Sequence, residues 1–233
     1  MTTPTTATAK TFLQLCQRAA RESGVTNAAV SALPATVEAQ VGELARMVDY
    51  VADAWRELQG TKKWSWMWEA VNLAIPAGAS SIATGIPHDR WDKDSVYSVG
   101  VTSDSAGRWL SYVPWDEFRS LYPRITTSSA LGSWTIAPDL TFRLNGITSV
   151  ILPLTAERWA LPTALRIDAD VPPMPADLSM LLVYMAVRKY AGYDEAGTQR
   201  NVSLIEEKRL YNDLLSRCLP EWRLGGSLLD NLY

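Results

Sequence analysis

The first candidate for chemistry in this chain is His88, its single histidine. It stands in Ile86-Pro87-His88-Asp89-Arg90, a turn-like stretch, with Asp89 and Asp92 as the nearest carboxylates. A hydrolytic triad is conceivable from these and one of many serines, but no GxSxG elbow exists to expose the serine. Metal-ligand patterns are equally thin, with no HExxH and no second histidine to pair. Asp168 and Asp170 in Ile167-Asp168-Ala169-Asp170 carry the hard oxygens that calcium takes, yet the EF-hand spacing is absent. Asp116 and Glu117 beside Trp115 have the look of a sugar cleft. Adjacent on a helix they diverge by about 100°, so they do not flank one glycosidic bond. There is no Walker or GxGxxG loop, and Leu224-Gly225-Gly226 follows a helical stretch rather than a strand. Cys16 and Cys218 lack CxxC spacing and read as free core thiols of a reducing compartment. The residues point to no catalytic, cofactor or metal site, and so to a protein that is not an enzyme.

The elements that would position such residues are helical at both ends. Residues 1–9 are Thr, Ala and Pro, too small and polar to pack, and read as a disordered arm. Phe12, Leu15, Cys16 and Ala19 recur at three and four, which predicts a helix over Lys10–Ser23 stopped by Gly24. Val37, Val41, Leu44, Val48, Val51, Trp55 and Leu58 then alternate steps of four and three, a seam down one face of a longer helix. Thr36 is its expected cap and Gly60 its end. The core-facing positions of that seam are Val41, Leu44, Val48, Val51 and Trp55; a seam between subunits is the alternative.

After Lys62-Lys63-Trp64-Ser65-Trp66-Met67-Trp68 the texture becomes strand-like. Val71–Ile75, Val96–Val101, Trp109–Val113, Trp134–Ile136, Thr141–Leu144 and Val150–Leu154 are short β-branched or aromatic runs separated by turn residues. They predict an all-β unit of about six strands, with one or two helical turns in Trp115–Tyr122. Val171-Pro172-Pro173-Met174-Pro175 is a stiff return to helix. Leu178, Leu181, Leu182, Met185 and Ala186 mark a helix stopped by Gly192. Val202, Ile205, Leu210, Leu214 and Cys218 mark a last one, capped by Thr198 and ended by Pro220.

The fold class is therefore α+β: an antiparallel helical bundle of about four helices from both chain ends, with an inserted all-β unit. The expected boundaries are 1–9 for the arm, 10–68 and 172–224 for the two helical parts, 69–171 for the β unit and 225–233 for an extended tail. That tail carries Leu228, Leu229, Leu232 and Tyr233, unlike the polar arm, and reads as an anchor for a partner, or else as a segment folded back on its own domain.

The formal net charge of −3 argues against a general nucleic-acid binder, which needs clustered Lys and Arg. Ten Trp and nine Tyr against three Phe supply rings suited to cores and to interfaces alike. No apolar run nears the ~20 residues that cross a bilayer, and the polar start lacks the apolar stretch of a signal peptide. A soluble protein made in a cytoplasm, with no membrane role, is expected.

Phe12-Leu13-Gln14-Leu15-Cys16-Gln17-Arg18 with Gly24 resembles the opening helix of the head-to-tail adaptors of tailed bacteriophages. Gly42-Glu43-Leu44, Arg46, Val48-Asp49-Tyr50-Val51 and Ala54-Trp55, followed by Trp66, resemble their second helix and its exit. Pro175-Ala176-Asp177, Tyr184-Met185-Ala186-Val187-Arg188-Lys189-Tyr190 and Gly192-Tyr193 are similar to the return into the helical core. The central β region matches by texture only. The resemblance implies a virion protein of the neck, assembled in the bacterial host. It implies a homo-oligomeric ring, a dodecamer, seated on the portal protein and handing on to the next tail or nozzle protein. DNA would pass through its channel without sequence-specific binding, and the apolar tail would fill a groove between portal subunits. Two other readings stand beside it: another neck layer such as a stopper, and a non-catalytic Trp-rich carbohydrate-binding module. The last would present several exposed, coplanar Trp rings.

Overall fold

The computed structural model describes residues 8–25, 33–99, 107–125, 131–194 and 197–219. The chain is α+β. It opens with α1 (Phe12–Ser23) and α2 (Gly42–Thr61). Strands β1 (Trp68–Ile75), β2 (Ser81–Ala83), β3 (Tyr97–Ser98), β4 (Arg108–Trp109) and β5 (Ser111–Tyr112) follow. Then come α3 (Trp115–Leu121), β6 (Ser133–Ile136), β7 (Thr141–Leu144) and β8 (Leu152–Trp159), and the chain returns to helix in α4 (Met180–Tyr193) and α5 (Gly197–Cys218). Two compact units result. Met67–Leu161 forms one; the described residues before it and after it together form the other.

In the helical unit α4 is central, in contact with α1, α2 and α5. Its composition dictates this, since Leu181, Leu182, Val183, Met185, Ala186, Val187, Tyr190 and Ala191 are all buried. A helix that is apolar on most sides is stable only when other helices cover it. Its two cations pair with carboxylates of the covering helices: Arg188 with Glu207 of α5 at 2.5 Å and Lys189 with Glu57 of α2 at 2.9 Å.

Helix α1 starts with a capping box, in which Thr11 Oγ1 accepts from the Gln14 amide and Gln14 Oε1 accepts from the Thr11 amide. It ends at Gly24, whose φ of +72° is the left-handed conformation that a Cβ would strain. Two of its unpaired first-turn amides are taken up from far along the chain. Phe12 N–H donates to the Asp170 carbonyl at 2.7 Å and Leu13 N–H to the Asp168 carbonyl at 3.3 Å.

Helix α2 begins later than its apolar seam suggests, at Gly42 (φ +62°), with Val41 as its N-cap. Residues 36–41 turn instead. Asp168 Oδ1 accepts from the Val37 amide at 2.6 Å and the Thr36 hydroxyl at 3.1 Å, and Gln40 donates back to the Thr36 carbonyl. Thr36 is thus a loop residue and not the cap. Val41 leaves the expected core seam and is 80% exposed. Leu44 and Val48 are half-buried, whereas Val51, Trp55 and Leu58 are buried, joined by Met47 and Ala54. The apolar stripe is therefore rotated toward Met47 and Ala54.

Three more helix ends differ from expectation. Helix α2 runs past Gly60 to Thr61. Gly192 does not stop α4, which runs on to Tyr193, and α5 begins at Gly197, so Thr198 lies inside it.

The β unit holds two four-stranded sheets, ordered β1-β8-β3-β4 and β2-β7-β6-β5. All described pairings are antiparallel except β5 with β6. One core cluster draws on both sheets, with Ile75, Leu152, Leu154 and Ala156 from the first and Trp134, Ile136, Phe142 and Leu144 from the second. The run Trp109–Val113 is not one strand. Leu110 N–H donates to the Val96 carbonyl and Ser111 N–H to the Gly132 carbonyl, so the chain changes sheets there and forms β4 and β5. Strand β8 begins at Leu152, after Val150 and Ile151, which are exposed, and runs on to Trp159.

Candidate assembly interface

The residues best able to do chemistry are spent on structure or lie scattered. His88 and Asp89 are exposed in a single 3-10 turn, His88–Arg90. Asp92 is buried nearby and folds onto its own loop, where its Oδ1 accepts from the Asp94 amide and its carbonyl from the Ser95 hydroxyl. The Asp116 carboxylate pairs with Arg119, one turn along α3, at 3.2 Å, and Glu117 is exposed on the same helix.

Asp168 and Asp170 act as a clasp. The Asp168 carboxylate holds residues 36–37. The Asp170 carboxylate accepts from the amides of Arg166 (2.6 Å) and Ile167 (3.0 Å), which hold its pKa below the ordinary carboxylate range. Among the described residues no group of three or more His, Cys, Asp and Glu side chains is placed to hold a metal ion.

Both thiols are buried. Burial, reinforced by the Asp168 charge, pushes Cys16 up to about 12, and burial also raises Cys218. A thiol so far from ionising is neither a nucleophile nor a ligand at neutral pH.

The aromatic side chains mostly serve the two interiors. Trp55, Trp64, Trp91, Trp134 and Trp159 are buried. Trp64 stacks on Trp66 at 4.9 Å and 7°, and Trp66 on Trp55 at 6.5 Å and 24°. Trp134 stacks on Phe142 at 5.1 Å and 11°. Each of these stacked pairs contains a buried ring, so none is a flat platform for a sugar. Exposed Trp109 meets Tyr97 edge-on, at 5.0 Å and 62°.

What remains at the surface is apolar and unassigned. The buried row of α5 is Ser203, Leu210, Leu214 and Cys218, at helical spacing. Val202 and Ile205, expected on that row, are 57% and 66% exposed, with Leu204 between them also exposed. In the β unit, Trp109 and the Val150-Ile151 pair stand out. Leu228, Leu229, Leu232 and Tyr233 lie outside the described residues. Sequence periodicity missed the α5 surface, because Val202 and Ile205 fit a helical apolar stripe as well as the true row does. No helix among the described residues is long and apolar enough to cross a membrane.

The described residues thus combine buried thiols, dispersed carboxylates and several large apolar side chains that face out. The model of one protein family, the SU10 adaptor protein, matches residues 10–221. No curated protein matches the chain. With that match spanning both helical ends and the whole β unit, the chain belongs to the SU10 adaptor protein family, a family of phage head–tail adaptors.

Proposed function

We propose that this chain is one subunit of a homo-oligomeric ring, a dodecamer, that joins the portal of a capsid to the next tail or nozzle component. The observation that carries the reading is the family match over residues 10–221. Membership of a head–tail adaptor family supports a structural protein of the phage neck. The helices from both chain ends serve as an antiparallel bundle, and the β unit is inserted in the chain between them. DNA passes through the channel without being read. The net charge of −3 suits that passage, because an acidic wall does not trap a moving polyanion. The reading needs no catalysis, cofactor or metal.

The tail is the proposed anchor on the portal, through Leu228, Leu229, Leu232 and Tyr233. A fully buried Leu contributes about 1.5–3 kcal/mol, so three Leu and a Tyr together, roughly 6–12 kcal/mol, outweigh only marginally the cost of ordering nine residues at about 1 kcal/mol each. Many tails in one ring multiply that small margin through avidity. The test is co-purification of the full chain with the portal protein of its phage, followed by imaging for a ring beneath the portal. Truncation before Gly225 should abolish docking and leave the melting temperature unchanged. A truncated protein that still docks, or that unfolds, rules out the anchor. A full chain that ignores the portal rules out the adaptor ring.

A further inference from the structure

The outer edge of β1 is open among the described residues, with β8 on one side of it and no strand on the other. The direction of its backbone groups follows from its register. Ala160 N–H donates to the Met67 carbonyl at 2.7 Å, and the pairing continues Trp68 with Trp159 through Ile75 with Leu152. Bonded and non-bonded pairs alternate in an antiparallel ladder. Glu69, Val71, Leu73 and Ile75 therefore turn their N–H and C=O groups toward β8. Ala70, Asn72 and Ala74 turn theirs outward. On the far side of β8, Val99 N–H donates to the Pro153 carbonyl at 3.0 Å, which gives the same phase.

The opposite edge of that sheet is β4. Leu110 N–H donates to the Val96 carbonyl at 2.9 Å, so the pairs flanking Tyr97 and Trp109 are the bonded ones. The backbone groups of Trp109 then point away from β3.

Two further properties of these edges match. Each strand of the sheet is antiparallel to its neighbour, so β4 runs opposite to β1. Laying β4 of one copy beside β1 of another continues that alternation. The faces also agree. Asn72 stands opposite Thr155, Thr155 opposite Tyr97 and Tyr97 opposite Trp109, and residues paired across a sheet share a face. Trp109 thus projects from the same face as Ala70, Asn72 and Ala74. One edge carries a large ring that is 66% exposed; the other carries Ala70, Asn72 and Ala74 beside outward N–H and C=O groups, with Trp68, 39% exposed, at the start of the same row. The other described sheet edges, β2 and β5, are three and two residues long and bear no exposed ring.

We propose that the β4 edge of one copy docks on the β1 edge of the next, with Trp109 lying over Ala70, Asn72 and Ala74. The occupant is a second copy of this chain, and the contact is heterologous, as ring closure requires. The inference rests on the ring reading above and names the residues that make its contact. Strand β4 is short, so each contact is weak and depends on many copies closing together.

The test replaces Trp109 by the photo-crosslinker benzoylphenylalanine in the full chain, assembled on its portal and illuminated. The expected product is a ladder of covalent oligomers whose cross-linked peptide contains Ala70–Ala74. Closed rings cross-linked elsewhere would overturn this interface and leave the ring reading standing. Dimers joined through two β4 edges would overturn the heterologous contact. A chain that forms no ring on the portal removes the ring reading and this inference together. Trp109→Ala and Ala70→Pro give an independent measure. Proline at an outward-facing edge position removes no bond to β8, so both variants should keep the wild-type melting temperature and lose rings. Should Ala70→Pro fail to fold, Trp109→Ala alone decides, and normal rings from it would overturn the proposal.

Discussion

Gln59 and Thr163 exchange a pair of hydrogen bonds as two β-strands would. The buried Gln59 side chain accepts from the Thr163 amide at 2.9 Å and donates to the Thr163 carbonyl at 2.8 Å. A helical side chain thereby fixes the chain just after the β unit has been left. Thr163 is exposed, so water can take over its backbone groups when the amide is removed. Gln59→Leu should therefore cost about 1–2 kcal/mol in denaturant melts, near the low end for two lost bonds. Thr163→Ala keeps both backbone bonds and should be close to neutral.

The rotated stripe of α2 sets an order of sensitivities. Val51 and Trp55 have no exposed surface, whereas Val41 stands at the cap in solvent. Trp55→Ala should cost about 3–5 kcal/mol and Val51→Ala roughly 1–3 kcal/mol, by transfer loss and cavity formation. Half-buried Leu44 and Val48 should fall below Val51, and Val41→Ala should change stability by less than about 0.5 kcal/mol. Chemical denaturation of the five variants checks the ranking. A large loss at Val41 would mean that residues 36–41 are helical after all.

Acid should loosen the helical unit through two carboxylates. The Ile167 and Arg166 amides hold the Asp170 pKa down, and the Arg217 guanidinium does the same for Asp177. A group with a depressed folded pKa contributes stability that is complete above its unfolded value, about 3.9 for Asp. That contribution disappears as pH falls below this value and through the lower folded one. Melting temperature should be flat in this respect from pH 7 to about 5 and fall below pH 4. Asp170→Asn and Asp177→Asn should each melt lower at pH 7 and show a shallower acid decline. The Asp177–Arg217 pair is exposed, so salt should weaken its effect.

Thiol reactivity should report global unfolding. With Cys16 pushed up to about 12 and both thiols buried, a disulfide exchange reagent at pH 8 should label neither in the native protein. Both should react promptly in guanidinium. Labelling of Cys218 alone under native conditions would reveal local opening of the end of α5.

The helices were readable because their apolar spacing is local, and the capping box of α1 could have been found by the same logic, from Thr11 and Gln14. The start of α2 was not readable. Its first seam residues are drawn out of helix by Asp168, more than a hundred positions downstream. The split of Trp109–Val113 into β4 and β5 was hidden because each half pairs with a partner distant in sequence. Val202 and Ile205 satisfy the helical period as well as the buried row does, so residue type did not separate them. The open edge of β1 lies in backbone geometry, and residue type gives no sign of it.

The hydrogen bond from Ala160 to Met67 closes the β unit at its own root. The strand by which the chain enters this unit lies beside the strand by which it leaves, over the full length of both. This ribbon holds the entry and the exit of the chain side by side, whatever the loops between the other strands contain. A lineage under pressure to fit new neighbours could thus lengthen or rewrite those loops in single steps, so long as the shared core and the ribbon are kept, while the chain still returns at Pro162.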